Sequence, residues 1–241
     1  MNQRLFISDL HLAPERPEII HLFVRFCKEI ASHCHTLYIL GDFVEYWLGD
    51  DDEASGLQPA FDALRSLAEH GTQTLFMHGN RDFLIGDALA ARCNFKIIPD
   101  PSIIQLDQQA ALLMHGDTLC TDDVDYMKFR SMVRDPGFQK DFLAKPLQQR
   151  RQIARSMRDS SQLATAEKKP EIMDVNQAAV EKAMQQHDVS LLIHGHTHRP
   201  SIHHFDIQTR RCTRVVLADW YETGSYLVLD KHDTPVLMDF V

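Results

Sequence analysis

The chain has 241 residues, 44% of them hydrophobic and 24% charged, the balance of a soluble globular protein with ample material for a core. No apolar run approaches the length of a membrane span, which excludes an integral helical membrane protein. A net charge of −9 argues against a polyanionic partner, but the charge is uneven: residues 121–170 hold 11 Lys and Arg against 7 Asp and Glu, a local +4 that leaves −13 elsewhere. Five cysteines, Cys27, Cys34, Cys93, Cys120 and Cys212, form no C-x-x-C pair and read as reduced, mostly buried thiols.

In chain order, MNQRLFISDLHL enters a strand pattern at once, without the charged, apolar and small-residue regions of a signal peptide, so the expected location is the cytoplasm. RLFISD is the first of five apolar runs that end on a polar, metal-capable residue; the others are TLYILGD, TLFMHGN, ALLMHGD and SLLIHGH. Each has the composition of a buried strand. Helix-compatible stretches, PEIIHLFVRFCKEIASH and LQPAFDALRSLAEH, separate the first three runs, the second followed by Gly71 as a C-terminal cap. Strands alternating with helices predict an α/β sheet, whose ligands gather outside the carboxyl ends of the strands. Over residues 121–170 aromatic and basic residues mix at helical spacing, interrupted by Pro136-Gly137 and Pro146. That pattern predicts a cap of short helices inserted into one domain spanning 1–241. The short strands SIHHFDI, RVVLADW, SYLVLD and PVLMDFV then predict a second, more antiparallel sheet.

The five strand ends carry the chemistry. Asp9 and His11 lie two apart after the first strand, so in extended geometry their side chains share one side. Asp42 ends the second strand, Asn80 the third and His115 the fourth, while His196 and His198 repeat the i, i+2 spacing after the fifth. Seven oxygen and nitrogen donors exceed the need of one ion, and the absence of thiolate argues against a structural zinc or iron–sulfur site. Two divalent ions fit better, since two aspartates leave the site positive toward a phosphate or diphosphate ester. Asp42 is the candidate bridge, for ions roughly 3.5–4 Å apart, with a water between them to attack phosphorus.

A lone histidine is more often a hydrogen-bonded core residue than a ligand, but D-x-H, GD, GN, HGD and GHTH in order at matching strand ends are hard to explain by packing. His78 and His194 are read as packing or ligand-orienting groups, and His33, His35, His203 and His204 as surface residues. Glu45 and Asp117 are candidates to orient histidines, the run Asp50–Glu53 is read as solvated surface, and Trp47 and Trp220 as core or cleft wall.

The ordered set D-x-H, GD-x-x-E, GN-x-D, HGD and GH-x-H, spanning Asp9 to Arg199, resembles the calcineurin-like metallophosphoesterases. The resemblance implies an α/β fold, an αββα double-sheet sandwich. The longer strings ISDLHL, LYILGD, HGNRDFLIG, MHGDTLCTDD, IMDVNQ and IHGHTHRP are similar to the UDP-2,3-diacylglucosamine hydrolases of Gram-negative lipid A synthesis. This narrower resemblance implies cleavage of a nucleotide-linked glycolipid to UMP and 2,3-diacylglucosamine 1-phosphate, with manganese as the preferred ion. It implies metal ligation by Asp9, His11, Asp42, Asn80, His115, His196 and His198, and catalytic roles for Asp42, Asn80, Arg81 and His115. Asn80 and Arg81 would face the diphosphate, and Asp123, Ser161, Thr165, Lys168 and His196 the head group. Thr165 stands where the family more usually has asparagine, which gives a shorter reach, and LADWYETGS departs slightly from the usual LGDWY run.

In the wider superfamily the position of Arg81 commonly holds a histidine. Guanidinium stays charged and cannot act as a general acid, so Arg81 is expected to stabilise charge on a leaving group that is already acidic. The bland alternative is a surface pair between Arg81 and Asp82. In the cap segment, apolar residues such as Tyr126, Phe129, Phe138 and Phe142 accompany Arg130, Arg134, Arg150, Arg151, Arg155 and Arg158. Acyl chains are expected under the cap, with the basic exterior against an anionic membrane surface, the cytoplasmic face of the inner membrane. The alternatives are a small cap core with a solvated charged face, a phosphoesterase for a soluble substrate, or a silent binding module. A nuclease is weaker still, since the short basic region gives little track for nucleic acid. Oligomeric state is not legible.

Overall fold

The computed structural model describes residues 3–166, 172, 174–229 and 232–241, with backbone alone over 159–166. The first half runs β1 (Arg4–Ile7), α1 (Pro17–Glu29), β2 (Thr36–Leu40), α2 (Gln58–Glu69), β3 (Gln73–Met77), α3 (Asp87–Cys93), β4 (Phe95–Ile98), β5 (Ser102–Gln105) and β6 (Ala110–Met114). Then come α4 (Val124–Val133), α5 (Pro136–Leu143), α6 (Leu147–Ala166), α7 (Gln177–Gln186), β7 (Leu191–His194), β8 (Ser201–Ile207), β9 (Arg210–Val216), β10 (Gly224–Leu229) and β11 (Pro235–Phe240). All five apolar runs are strands, and Gly71 follows α2 with φ +89°, a conformation that costs glycine little.

Alternation along the strands builds the layers. In β1, Leu5 and Ile7 face one side and Phe6 the other; in β2, Leu37 and Ile39 oppose Tyr38 and Leu40. The first side packs on α1, α2 and α3 through residues such as Phe23, Phe61 and Leu89. The second meets Ala111 and Leu113 of β6 and Leu191 and Ile193 of β7. Those strands turn Leu112, Met114 and Leu192 outward onto Val180 and Met184 of α7. The result is helix, sheet, sheet, helix, an αββα sandwich with three apolar seams. Each fully buried Leu or Ile in them contributes about 1.5–3 kcal/mol.

The sheets run β11-β10-β1-β2-β3-β4 and β5-β6-β7-β9-β8. Strands β1 to β4 pair in parallel, as do β6, β7 and β9, so the ends of β1, β2, β3, β6 and β7 converge at one edge. The four closing strands do not make a sheet of their own, contrary to the sequence expectation. β8 and β9 join the second sheet beside β7, while β10 and β11 join the first beside β1. Between β9 and β10 the chain crosses at Trp220, fully buried: its indole N–H donates to Ser225 O at 3.0 Å and its backbone N–H to Asp9 O at 3.1 Å. The run RVVLADW is accordingly strand only to Val216.

Helices α4, α5 and α6 stand between β6 and α7. Asp123 and Asp135 cap α4 and α5, accepting from the backbone N–H of Tyr126 at 3.0 Å and Phe138 at 2.9 Å. α6 is 20 residues long, so the segment is not built of short helices alone.

Candidate metal centre and active site

Asp9, His11, Asp42, His196 and His198 have φ between +48° and +70°, the left-handed region. The sequence reading placed the i, i+2 pairs in extended backbone; instead β1 ends at Ile7, β7 at His194, and tight turns aim the pairs inward. Such backbone costs of order 1–3 kcal/mol per residue and collects at functional sites. Glycines allow the turns to touch: a Cβ on Gly79 would collide with Asp42, and one on Gly195 with Asp9 and Ser8.

The seven predicted donors come together. His11 Nε2 lies 3.3 Å from His198 Nε2 and 3.8 Å from Asp42 Oδ2, and His198 Nε2 lies 3.5 Å from Asp9 Oδ1. On the other side His115 Nε2 is 3.8 Å from Asp42 Oδ1, and the Asn80 side-chain oxygen sits 2.9 Å from His115 Nε2 and 2.8 Å from His196 Nδ1. Two groups have ligand atoms within 4.8 Å of one another, Asp9 with His11 and His198, and Asp9 with Asp42 and His115.

The donor chemistry fits divalent cations. His115 Nδ1 donates to Leu40 O at 2.9 Å, His11 Nδ1 faces Glu45 at 2.9 Å, and His198 Nδ1 faces Asp219 at 3.1 Å. Each partner can accept a hydrogen bond from Nδ1–H, which turns Nε2 toward the crevice as the atom available to a metal ion. Asp9 Oδ1, fully buried, has no hydrogen-bond partner there. Nitrogen and oxygen donors gathered at this spacing in a largely buried crevice suit divalent cations between them.

The electrostatics report the same concentration. Burial opposes charge on His115, but Asp42, Asp117 and Asp9 raise its pKa to about 9. His196 is pushed down to about 4 by burial and by His115, and His198 up to about 10 against burial by Asp219 and Asp9. Burial would raise Asp9, yet His198, His115 and His11 hold its carboxyl well below the usual range.

Arg81 donates its backbone N–H to Asp42 at 2.8 Å, and its guanidinium lies 3.7 Å from Glu45, opening onto a cavity of about 1010 Å³. It does not pair with Asp82. That carboxylate is fully buried and accepts from Gly79 N–H at 2.8 Å and Phe43 N–H at 2.7 Å, tying the Asn80 loop to the Asp42 loop. Burial, then Asp42, raises its pKa to about 7. Of the two orienting candidates, Glu45 holds a histidine, whereas Asp117 accepts from Tyr126 and Arg130 of α4, both at 2.7 Å.

The cavity runs from Asn80 and Arg81 to the helices α4–α6, walled by Trp47, Phe83, Phe129 and Phe142. Of the arginines expected on the exterior, Arg130, Arg134 and Arg158 are half-buried along it, while Arg151 and Arg155 stand exposed at its rim. Asp117 draws Arg130 in, and Gly79 O draws Arg134 in at 2.8 Å. The acidic run is at the surface, with Asp51 and Glu53 exposed, but its first three carboxylates have partners. Asp50 accepts from Trp47 Nε1 at 2.9 Å and caps α3, Asp51 grips buried Arg150, and Asp52 pairs with Arg151 at 3.1 Å. Sequence reasoning missed Asp82, though GN-x-D contained it, and missed Tyr126, whose ring centroid is 5.9 Å from that of His196. Asp123 is buried at the start of α4; the side chains of Ser161 and Thr165, and Lys168, lie outside the described residues.

Residues 4–200 match the family of calcineurin-like phosphoesterases, and the chain belongs to that family. Its metal crevice is that of a metal-dependent hydrolase using divalent ions. Within the family, a protein of Aromatoleum aromaticum is 48% identical over 98% of this chain and 96% of its own length. One of Stenotrophomonas maltophilia is 47% identical over 94% of each chain, and one of Chromohalobacter salexigens 46% over 96% of this chain and 94% of its own. All three bear the name UDP-2,3-diacylglucosamine hydrolase.

Proposed function

We propose that the chain hydrolyses the diphosphate bond of UDP-2,3-diacylglucosamine to UMP and 2,3-diacylglucosamine 1-phosphate, a step of lipid A biosynthesis. The observation that carries this is continuity: the buried donor crevice opens through Asn80 and Arg81 into one cavity of about 1010 Å³ with apolar walls and inward arginines. That shape suits a molecule with a diphosphate at one end and acyl chains at the other.

In this reading Asp9, His11, Asp42 and His198 hold one ion, and Asp42, Asn80, His115 and His196 the other, Asp42 having an oxygen toward each side. When bound, the ions, manganese in this proposal, polarise the phosphoryl group and make a water nucleophilic near neutral pH. Arg81 stays cationic and faces charge developing on the departing phosphate, held by Glu45 without a proton to give. Asn80 and Arg81 face the diphosphate; Asp123, Ser161, Thr165, Lys168 and His196 take the head group. The whole of 1–241 acts as one domain, with 121–170 as its helical cap.

Among the described residues no helix is long and apolar enough to cross a membrane. Exposed Val124, Phe129, Met132 and Leu143 give the cap an apolar rim, which supports peripheral contact with the cytoplasmic face of the inner membrane. The test is product analysis: metal-stripped protein, resupplied with manganese and given the lipid in detergent, releases UMP in a manganese-dependent way. Cleavage of a generic phosphodiester without UMP release from the lipid would discard the lipid assignment.

A further inference from the structure

Outside the metal crevice, a second cleft of about 270 Å³ is lined by Asp174, Thr197, Arg199, Ser201, His203 and Arg214, with Pro200 and Val216. None of the seven donors lines it. Arg214, on β9, is 92% buried, its exposure being 8%. Among the described residues it has no carboxylate within 4.0 Å, and its one hydrogen-bond contact is Nη1 to His194 Nε2 at 3.4 Å. That contact is to an imidazole whose Nδ1 lies 2.9 Å from Gly195 O, not to a carboxylate. Arg214 Nε has no partner, and neither has the buried hydroxyl of Thr197. Burial holds the Arg214 pKa below the ordinary arginine value, only partly offset by Asp174. Arg199 forms another wall, paired with Asp174 at 2.7 Å.

A guanidinium largely removed from water and only partly balanced by Asp174 is costly, and an unpaired hydroxyl in the same cleft adds to that cost. Both are relieved by one ligand that is anionic and rich in acceptors. Arg214 comes from β9, and Thr197 and Arg199 from the loop between β7 and β8, so an anion with several acceptor oxygens can meet donors from both elements. We propose that this cleft is a binding subsite for a phosphate-class anion, held by Arg214 and Thr197 with Arg199 alongside. Thr197 is the residue between His196 and His198, so an anion here packs against the loop that carries two of the metal donors. The subsite does not depend on the lipid assignment.

The test is calorimetric titration of the full-length, metal-loaded protein with inorganic phosphate. Two classes of site are expected, one abolished by Asn80→Ala at the metal crevice and one weakened about tenfold or more by Arg214→Met, the loss of a charge-assisted hydrogen bond. Thr197→Val, a near-isosteric change, is expected to weaken the same class severalfold and covers the case in which Arg214→Met fails to fold. Repeating the titration with UMP separates the sources: tighter binding than phosphate at that class assigns it to a nucleotide, equal binding to free phosphate. A single class in the native protein, or a second class untouched by both variants, would overturn the proposal and leave Arg214 a packing partner of His194.

Discussion

The metal crevice and the cavity beneath α4–α6 meet at Arg81 but are assembled in opposite ways. In the crevice, donors stand at the ends of parallel strands, four of the seven buried and the other three half-buried, with tight turns that fix their direction. Under the helices, the walls are partly exposed and tied to the sandwich by side chains: Arg130 to Asp117, Arg134 to Gly79 O, Arg150 to Asp51. The crevice is therefore rigid where chemistry needs fixed geometry, and the cavity is adjustable where, on the proposed function, acyl chains would lie. Reactivity and lipid selectivity should then be separable by mutation.

The largest effect is expected in the crevice: Asn80→Ala or His115→Ala abolishes turnover and lowers bound metal, read by elemental analysis. Near-normal activity in either would remove the site. Next, Arg81→Ala should lower kcat about 10²–10³-fold with metal content intact, the cost of one charge-stabilising donor. Loss of metal from that variant would instead make Arg81 part of the metal scaffold. Asp219→Ala, which frees His198 Nδ1, should weaken metal affinity by about 10–100-fold. An unchanged metal titration would deny Asp219 its orienting role.

Smaller and more selective effects belong to the cavity. Phe142→Ala, made together with Phe138→Ala, whose rings stack at 6.2 Å, should cut kcat/KM for the acylated substrate about tenfold or more while sparing a generic phosphodiester. Equal losses on both substrates would erase the division of labour. Asp51→Asn should cost about 1–3 kcal/mol of stability in chemical unfolding, since it weakens the partner of a buried guanidinium. No change in the midpoint would mean that the backbone carbonyl of Leu48, to which Arg150 Nη1 also donates, holds the guanidinium without Asp51.

The sequence exposed these regions unequally. All seven donors, their five strands, α1 and α2 were readable because each rests on a run of a few residues with its own pattern. The left-handed turns at Asp9 and His196 were not, since short strand-like motifs leave backbone sign open. The role of Asp50–Asp52 was hidden because Arg150 lies 99 residues from Asp51, and a run of acids looks solvated until its partners are known. The inward turn of Arg130 and Arg134 had the same cause: Asp117 and Gly79 O are contacts of tertiary structure. α3 and α7 escaped notice as short helices whose caps, Asp50 and Asn176, were not recognised.

The central claim is that one continuous site joins diphosphate chemistry to an acyl-lined cavity. It is tested most directly by comparing kcat/KM of the manganese-loaded protein for UDP-2,3-diacylglucosamine and for UDP-glucosamine without acyl chains. Buried methylenes contribute about 0.8 kcal/mol each, so the acylated substrate should be favoured by at least about a hundredfold. Equal values for the two would contradict the account and reduce the cavity to a space the substrate does not use.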